Sequence, residues 1–421
     1  MDESSRIIRK DRSTIFTRRS ENEKIYVTTR EGGVSVSKKS FRLLLDNSVA
    51  GSYSAYQGAL ETGRITLKGL QDLAHRGEIP LPLFFAPEEV VEAQVKHKLE
   101  LLLRGLSQRD TFRIGSRETI RLGDIDLLLR DLLRKQEQLR KVDKTLVKNP
   151  VMGKLGDPRR PPEELANTLK DLIGFSPEHF RAIRTKRDAL EYFVDCLEAK
   201  QIFVSRSVHR EFMPQAITKS FSGMTVKDNK IPYIFLPGGD PEEGLEPAGR
   251  RIFTLTLLAV LVAEKRFATV SWNHGDLEDE HLEGESGRTY DVAGAFLMPK
   301  SDLAAFHLED LPDIEAASNA FHVTPSAVVV RAARTGLLSW MKARYLLDEL
   351  QSKRSTASPQ HGGRPPQETS VARYAGAEFV RRMLTAQDAG LLSPTDFRLY
   401  VTLNRLEPSQ FSDLRRVVSC L

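Results

Sequence analysis

The residues of this chain best suited to chemistry lie between His274 and Glu285. There HGDLEDEHLEGE sets two imidazoles among six carboxylates. Imidazole nitrogen and carboxylate oxygen are zinc donors, and three of them with one open position would hold a water for hydrolysis. His274, His281, Glu283 and Glu285 are therefore the candidate metal ligands. Their spacing argues against the assignment. Seven residues separate the two histidines, whereas two imidazoles grip one ion from a helix face at a separation of four. An acidic run is also ordinarily a solvated loop. The other histidines form no cluster. No phosphate-cradling glycine loop and no nucleophile elbow is present, and PGGD at 237–240 reads as a turn. No cofactor is expected.

A second chemistry is the binding of nucleic acid. Phosphate contacts dominate such affinity and need cations. Arg18, Arg19, Lys38 and Lys39 supply them in the basic N-terminal stretch. Arg134, Lys135, Arg140 and Lys141 supply them in DIDLLLRDLLRKQEQLRKV, which falls in the most basic window of the chain, residues 101–160. A solvated helix face is the commoner cause of such a pattern. The stretch SVAGSYSAYQGALETG adds a further objection. It precedes Gly63 and offers no Lys or Arg between Arg42 and Arg64, where a recognition helix would need them.

The elements that must position these residues follow from totals and pattern. At 421 residues the chain is too long for one ordinary domain. Its net charge of +5 permits acidic partners without requiring them. Two cysteines, Cys196 and Cys420, far apart in sequence, point to a reducing compartment. The N-terminus has no apolar segment of a signal peptide. The longest apolar run, Phe253–Ala263, is well short of the ~20 residues that span a membrane. A cytoplasmic protein without membrane contact is expected; the sequence carries no sign of its oligomeric state.

Along the chain, residues 1–40 read as a basic flexible arm with at most a short strand near Lys24–Thr29. Residues 41–90 read as a helix-turn-helix-like unit, with Thr66 capping the helix of Leu67, Leu70, Leu73 and Ala74. Residues 91–170 form a basic helical connector. Between 171 and 351 the character changes. Helix Lys186–Ala199 leads into the strand QIFVSR, two more strands, SFSGMTVKD and IPYIFLP, and the long helix RRIFTLTLLAVLVA. After AGAFLMP come further helices, with Thr324 as N-cap, Pro325 in the first turn and Gly336 as stop. Residues 352–372 are a Ser/Pro/Gly linker, and 373–421 a last helical unit. The class is α+β, predominantly helical, with a small mixed β-sheet in the central domain and helical units on either side.

The order GMTVKDNKIPYIFLP, RRIFTLTLLAVLVA, AGAFLMP resembles the ImmA/IrrE family of metallopeptidase-like regulatory proteins. In that family the helix begins R-x-F-T-L-A and continues H-E-L-G-H, and a later helix ending L-L-M-P supplies an acidic third ligand. The resemblance extends to ETGRITLKGLQDLAHRGEIPLPLFFAP, FHVTPSAVVVRAARTGLLS and the C-terminal unit. It implies a zincin-like domain and regulation through a repressor-type protein partner. Phe253, Thr254 and Leu255 match the pattern. Leu257 stands at the first histidine, Leu258 at the glutamate and Leu261 at the second histidine. Leucine has no lone pair for a metal and carries no proton. The window for the third ligand is Ser286–Thr289.

The resemblance therefore implies a degenerate member without catalytic residues. Its helix is apolar nearly all round and so buried, with the metal pocket packed shut. The expected role is a sensor, adaptor or regulatory protein that binds a repressor or a component of a larger complex. A DNA-binding regulator, and a metallopeptidase with its metal moved to His274 and His281, are the alternatives.

Overall fold

The computed structural model describes residues 24–29, 32–46, 48, 50, 53–103, 122–157, 159–207, 222–237, 239–240, 244–245, 247–270, 284–355 and 365–420. At 99–103, 122–127, 239–240, 244–245, 284–286, 354–355 and 420 it describes the backbone alone. The described chain is mostly helical with small mixed sheets. No helix among these residues is long and apolar enough to cross a membrane. The chain divides into two compact units, with the change-over inside one helix, Leu122–Val142, after Arg130.

The first unit holds a three-stranded sheet. Strand β1 (Lys24–Thr28) pairs antiparallel with β2 (Gly33–Ser37) and parallel with β3 (Arg64–Thr66). Alternation along β1 turns Ile25 and Val27 inward. Helices Lys38–Asp46, Ser54–Thr62, Leu67–Arg76 and Glu88–Leu103 complete the unit around Phe41, Tyr56 and Phe84. Thr66 caps its helix by accepting a 3.0 Å hydrogen bond from the Gly69 amide. Gly63, at φ +67°, ends helix Ser54–Thr62 in the left-handed region and turns the chain into β3. Residues 24–37 are thus a hairpin within a sheet, where the sequence suggests an arm with one short strand. GVSVS buries only Val36 fully, so it shows little apolar alternation. RIT is three residues long, and its partner lies far back in the chain.

The second unit begins with helices Pro162–Ile173, Pro177–Ala182 and Lys186–Glu198. Its main sheet contains β4 (Phe203–Arg206), β5 (Gly223–Val226), β6 (Tyr233–Leu236) and, beyond the two-residue strands β7 (Gly239–Asp240) and β8 (Gly244–Leu245), β9 (Thr269–Val270). The order is β4-β6-β5-β9. β4 and β6 run parallel, and β5 is antiparallel to both β6 and β9. Every residue of β4, β5 and β6 is buried, so both faces of the sheet are covered.

Helix Ala248–Ala263 packs on β5 and β6, and helix Gly284–Leu297 packs against it. Helices Lys300–Leu303, Leu311–Ala320, Pro325–Arg334 and Trp340–Ser355 follow. Thr324 caps the third of these by accepting from the Ala327 amide. The C-terminal helices Gln367–Ala375, Ala377–Asp388, Pro394–Tyr400 and Phe411–Cys420 belong to this same compact unit. The first two cover β4, an edge strand, and so blunt it. The Ser205 hydroxyl donates to the Tyr374 carbonyl at 2.5 Å. Tyr233 stands edge-on to Phe379 at 6.4 Å. Of the segment read as a linker, 352–355 and 367–372 are helical.

Candidate functional site

Helix Ala248–Ala263 is positioned from both ends. Pro247 precedes it, and its fixed φ suits entry into a helix. Gly249 presses on the backbone that leads into helix Pro325–Arg334 so closely that a Cβ there would stand 2.6 Å from the Val323 carbonyl. At the other end Lys265 takes a positive φ of 62° and the Arg266 amide returns to the Leu261 carbonyl at 2.8 Å. Between these ends every residue from Ile252 to Ala263 is buried.

Leu257, Leu258 and Leu261 are each 0% exposed. Leu258 closes on the sheet: a Cβ at Gly223 would lie 2.8 Å from Leu258 Cδ1 and 2.9 Å from the Phe235 carbonyl oxygen. Strand β5 passes the helix at a distance that only a glycine allows. Phe253 meets Tyr290 of the neighbouring helix with ring centroids 4.9 Å apart. Thr256 satisfies its hydroxyl on the Ile252 carbonyl. Thr254 Oγ1 is buried without a hydrogen-bond partner among the described residues.

Thr289, in the window for a third ligand, is spoken for. Its hydroxyl donates to Glu264 Oε2 at 2.9 Å and accepts from Arg266 Nη1 at 3.1 Å. Burial raises the Glu264 pKa, with Thr289 and Arg266 opposing. The donor set around this helix does not fit a metal: Leu257, Leu258 and Leu261, at the positions where the resemblance implies ligands and base, are all aliphatic. Among the described residues, no group of three or more His, Cys, Asp or Glu is placed to hold an ion. His274, His281 and Glu283 lie outside the described residues, as does the side chain of Glu285.

The basic candidates are largely occupied. Arg18 and Arg19 lie outside the described residues. Lys38 is half-buried, with its ammonium 3.4 Å from the Leu60 carbonyl. Lys39 pairs with Glu92 at 2.6 Å and Glu88 at 3.4 Å. Arg134 is half-buried. Arg140 pairs with Asp228 at 3.1 Å, and Lys141 with Glu137 at 2.7 Å. Lys135 corrects the sequence reading, which offered it as a candidate phosphate contact on a helix face open to solvent. It is 1% exposed, bonded to Asp131 at 2.5 Å, with its ammonium 4.1 Å from the centre of the Tyr374 ring. Burial lowers its pKa while Asp131 opposes. A phosphate has no access to it.

Sequence reasoning missed a second group of charges, on helix Lys186–Glu198 and the end of β4. Arg206 Nη1 donates to both oxygens of Glu191 at 2.7 Å. Burial pulls the Glu191 pKa up, but Arg206, with Arg373 and Arg251, outweighs it and holds the carboxyl below its ordinary range. Glu198 is 2% exposed and accepts from the amides of Val204 at 3.2 Å and Glu378 at 2.8 Å. Burial nevertheless pushes its pKa to about 7. The one signal in the sequence is an arginine closing the short strand QIFVSR behind Ile202, Phe203 and Val204. Its partners are set by the fold.

Comparison with protein-family models, curated proteins and solved structures returns no match for this chain.

Proposed function

We propose that this chain is a regulatory or adaptor protein on a peptidase-like scaffold, without peptidase chemistry of its own, that acts by binding another protein. The ImmA/IrrE resemblance supplies the class of partner, a repressor-type protein or a component of a larger complex. One observation carries the reading: Leu257, Leu258 and Leu261 are wholly buried, and Leu258 packs down on Gly223. Hydrolysis at that helix needs a metal, an open coordination position and a base, and the space for all three is filled by aliphatic carbon.

The test begins with protein purified without a histidine tag. Its metal content is measured by elemental mass spectrometry, and its cleavage of any repressor-type protein encoded next to its gene is followed with and without added zinc. The expected result is substoichiometric metal, no cleavage, and co-elution of an intact partner in size-exclusion chromatography. Stoichiometric zinc with cleavage that a chelator abolishes overturns the reading and turns attention to His274 and His281.

A further inference from the structure

One edge of the first unit's sheet is open. Among the described residues, strand β2 pairs with β1 alone, at the end of the order β2-β1-β3. The Tyr26 amide of β1 donates to the Gly63 carbonyl at 2.9 Å, on the β3 side. Alternate amides of a strand face opposite ways, so Ile25 and Val27 turn theirs to β2. Their partners in register are Val36 and Val34. These two valines therefore carry the hydrogen bonds to β1, and Gly33, Ser35 and Ser37 point their amides outward. Gly33, Val34 and Ser35 are all exposed.

Proteins blunt such an edge with charge, above all lysine, or with proline. The strand GVSVS has neither. The two lysines that follow it are drawn elsewhere, Lys38 toward the Leu60 carbonyl at 3.4 Å and Lys39 to Glu92 at 2.6 Å and Glu88 at 3.4 Å. Apolar surface is left uncovered as well. Val34 is 53% exposed, and the turn Leu81–Phe85, which packs on β2, leaves Phe85 44% exposed.

The order of residues in the strand fits it to itself. Antiparallel pairing of two copies must set outward-pointing residues opposite outward-pointing residues. The register that does so along the whole strand has its two-fold axis at Ser35. Ser35 then faces the second copy's Ser35, and Gly33 faces its Ser37. On the other face of the sheet Val34 meets the second copy's Val36. Apolar side chains oppose apolar ones, hydroxyl opposes hydroxyl, and no like charges are brought together.

We propose that β2 is an interface between two copies of this chain, joined antiparallel about Ser35 so that two three-stranded sheets become one continuous sheet. The interface is independent of the function proposed above, since it lies in the first unit and uses none of the leucines on the buried helix.

Sedimentation equilibrium of the full chain, over a wide range of concentration, tests it. The expected mass rises from 47.4 kDa to twice that value. Ser35→Pro removes an amide that β1 does not use, a change that edge strands accept. Because the axis passes through this residue, two hydrogen bonds between the copies are lost, and the dissociation constant should rise about thirtyfold. Val34→Lys leaves every backbone donor in place and sets a charge against Val36 on both sides of the axis. It should weaken the dimer at least as much, and it decides the matter where proline disturbs the fold, which circular dichroism of the monomer would reveal. A spin label at Tyr26→Cys, with Cys420→Ser so that only this site reacts beside the buried Cys196, locates the contact. Tyr26 stands beside Ser35 in register, so three strand spacings separate the two labelled Cα atoms, about 14 Å. A protein that stays monomeric at every concentration overturns the proposal and leaves the edge to another protein or to the chain's own first residues. A dimer that survives both substitutions, or one without the short distance between labels, overturns it too.

Discussion

Leu258 and Arg206 are both almost completely buried, at 0% and 4% exposed, and both belong to the second unit. Their surroundings are opposite. Around Leu258 lie Gly223, the sheet and a helix of aliphatic side chains. Around Arg206 lie Glu191, Asp195, Glu198 and two further arginines. The region that resembles a catalytic site is the one with least chemical capacity. The capacity lies towards the amino end of the same helix, where only Arg251 falls on the pattern that carries the resemblance, at its opening arginine. One unit thus holds a wholly apolar interior at one place and concentrated charge at another, and the two places should answer differently to the same kind of substitution.

The largest contrast comes from introducing a charge into the apolar region. Leu258→Glu buries a carboxylate against Gly223 with nothing to pair it. The cost should exceed about 4 kcal/mol, at the extreme of single-residue effects. Urea unfolding followed by circular dichroism should find the variant largely unfolded without denaturant. A variant of near wild-type stability would mean that water reaches Leu258, and the comparison would break.

Arg206→Met makes the complementary change in the charged region, removing a charge rather than adding one. It leaves Glu191 without its bidentate partner. Breaking a buried pair costs about 3–5 kcal/mol, and the low end applies here because Glu191 keeps some exposure and stays near Arg251 and Arg373. Adding Glu191→Leu should recover much of the loss, since replacing both members of a buried pair by apolar groups is often neutral. If the double variant is no better than Arg206→Met alone, the arginine acts through something other than Glu191.

These two regions also differ in how much of them was legible in the sequence. The run Phe253–Ala263 declares a buried helix from its apolar content alone, and IPYIFLP declares a strand in the same way. Local pattern suffices because burial on all sides leaves no charged position and only Thr254 and Thr256 as polar ones. The charged corner is the opposite case. Glu191 lies on a helix whose other faces are ordinary, and Arg373 comes from the segment that follows a Ser/Pro/Gly-rich stretch. Packing of helix Lys186–Glu198 on β4 brings Glu191 to Arg206, and docking of the C-terminal helices on the same strand brings the helix of Arg373. Lys135 failed for a related reason. Within LRKQEQLRK it looks like every other solvated lysine, and nothing nearby in sequence announces Tyr374. Strands β2 and β3 were unreadable because pairing across the chain, not local alternation, makes them strands.

Glu198 gives the contrast a pH dependence that the leucine region cannot have. Its folded pKa of about 7 lies above its ordinary value of 4.5, chiefly because of burial. A raised folded pKa means that the native state holds the proton more tightly than the unfolded chain. The associated stability is fully present below pH 4.5 and is lost as pH rises through 7. The expected loss is on the order of 2–3 kcal/mol between those limits. Denaturant titrations at intervals across this window should show it, and Glu198→Gln should flatten the slope. A slope that persists in the variant would assign the effect to Asp195, whose pKa is raised in the same direction to about 6.

The smallest effect tests whether the apolar region truly rejects polar groups. Thr254 is 0% exposed, and its hydroxyl has no hydrogen-bond partner among the described residues. Thr254→Val exchanges that hydroxyl for a methyl of nearly the same shape and keeps the β-branch, so helix propensity barely changes. An unsatisfied buried hydroxyl costs about 1–3 kcal/mol. Helical threonines can relieve part of that by rotating toward a carbonyl one turn back, so a gain of about 1 kcal/mol is expected, read as a higher urea midpoint at unchanged slope. A loss of stability would show that the hydroxyl is satisfied by water. The interior beside Leu257 and Leu258 would then not be dry, and the leucines would line a small wet cavity instead of sealing one.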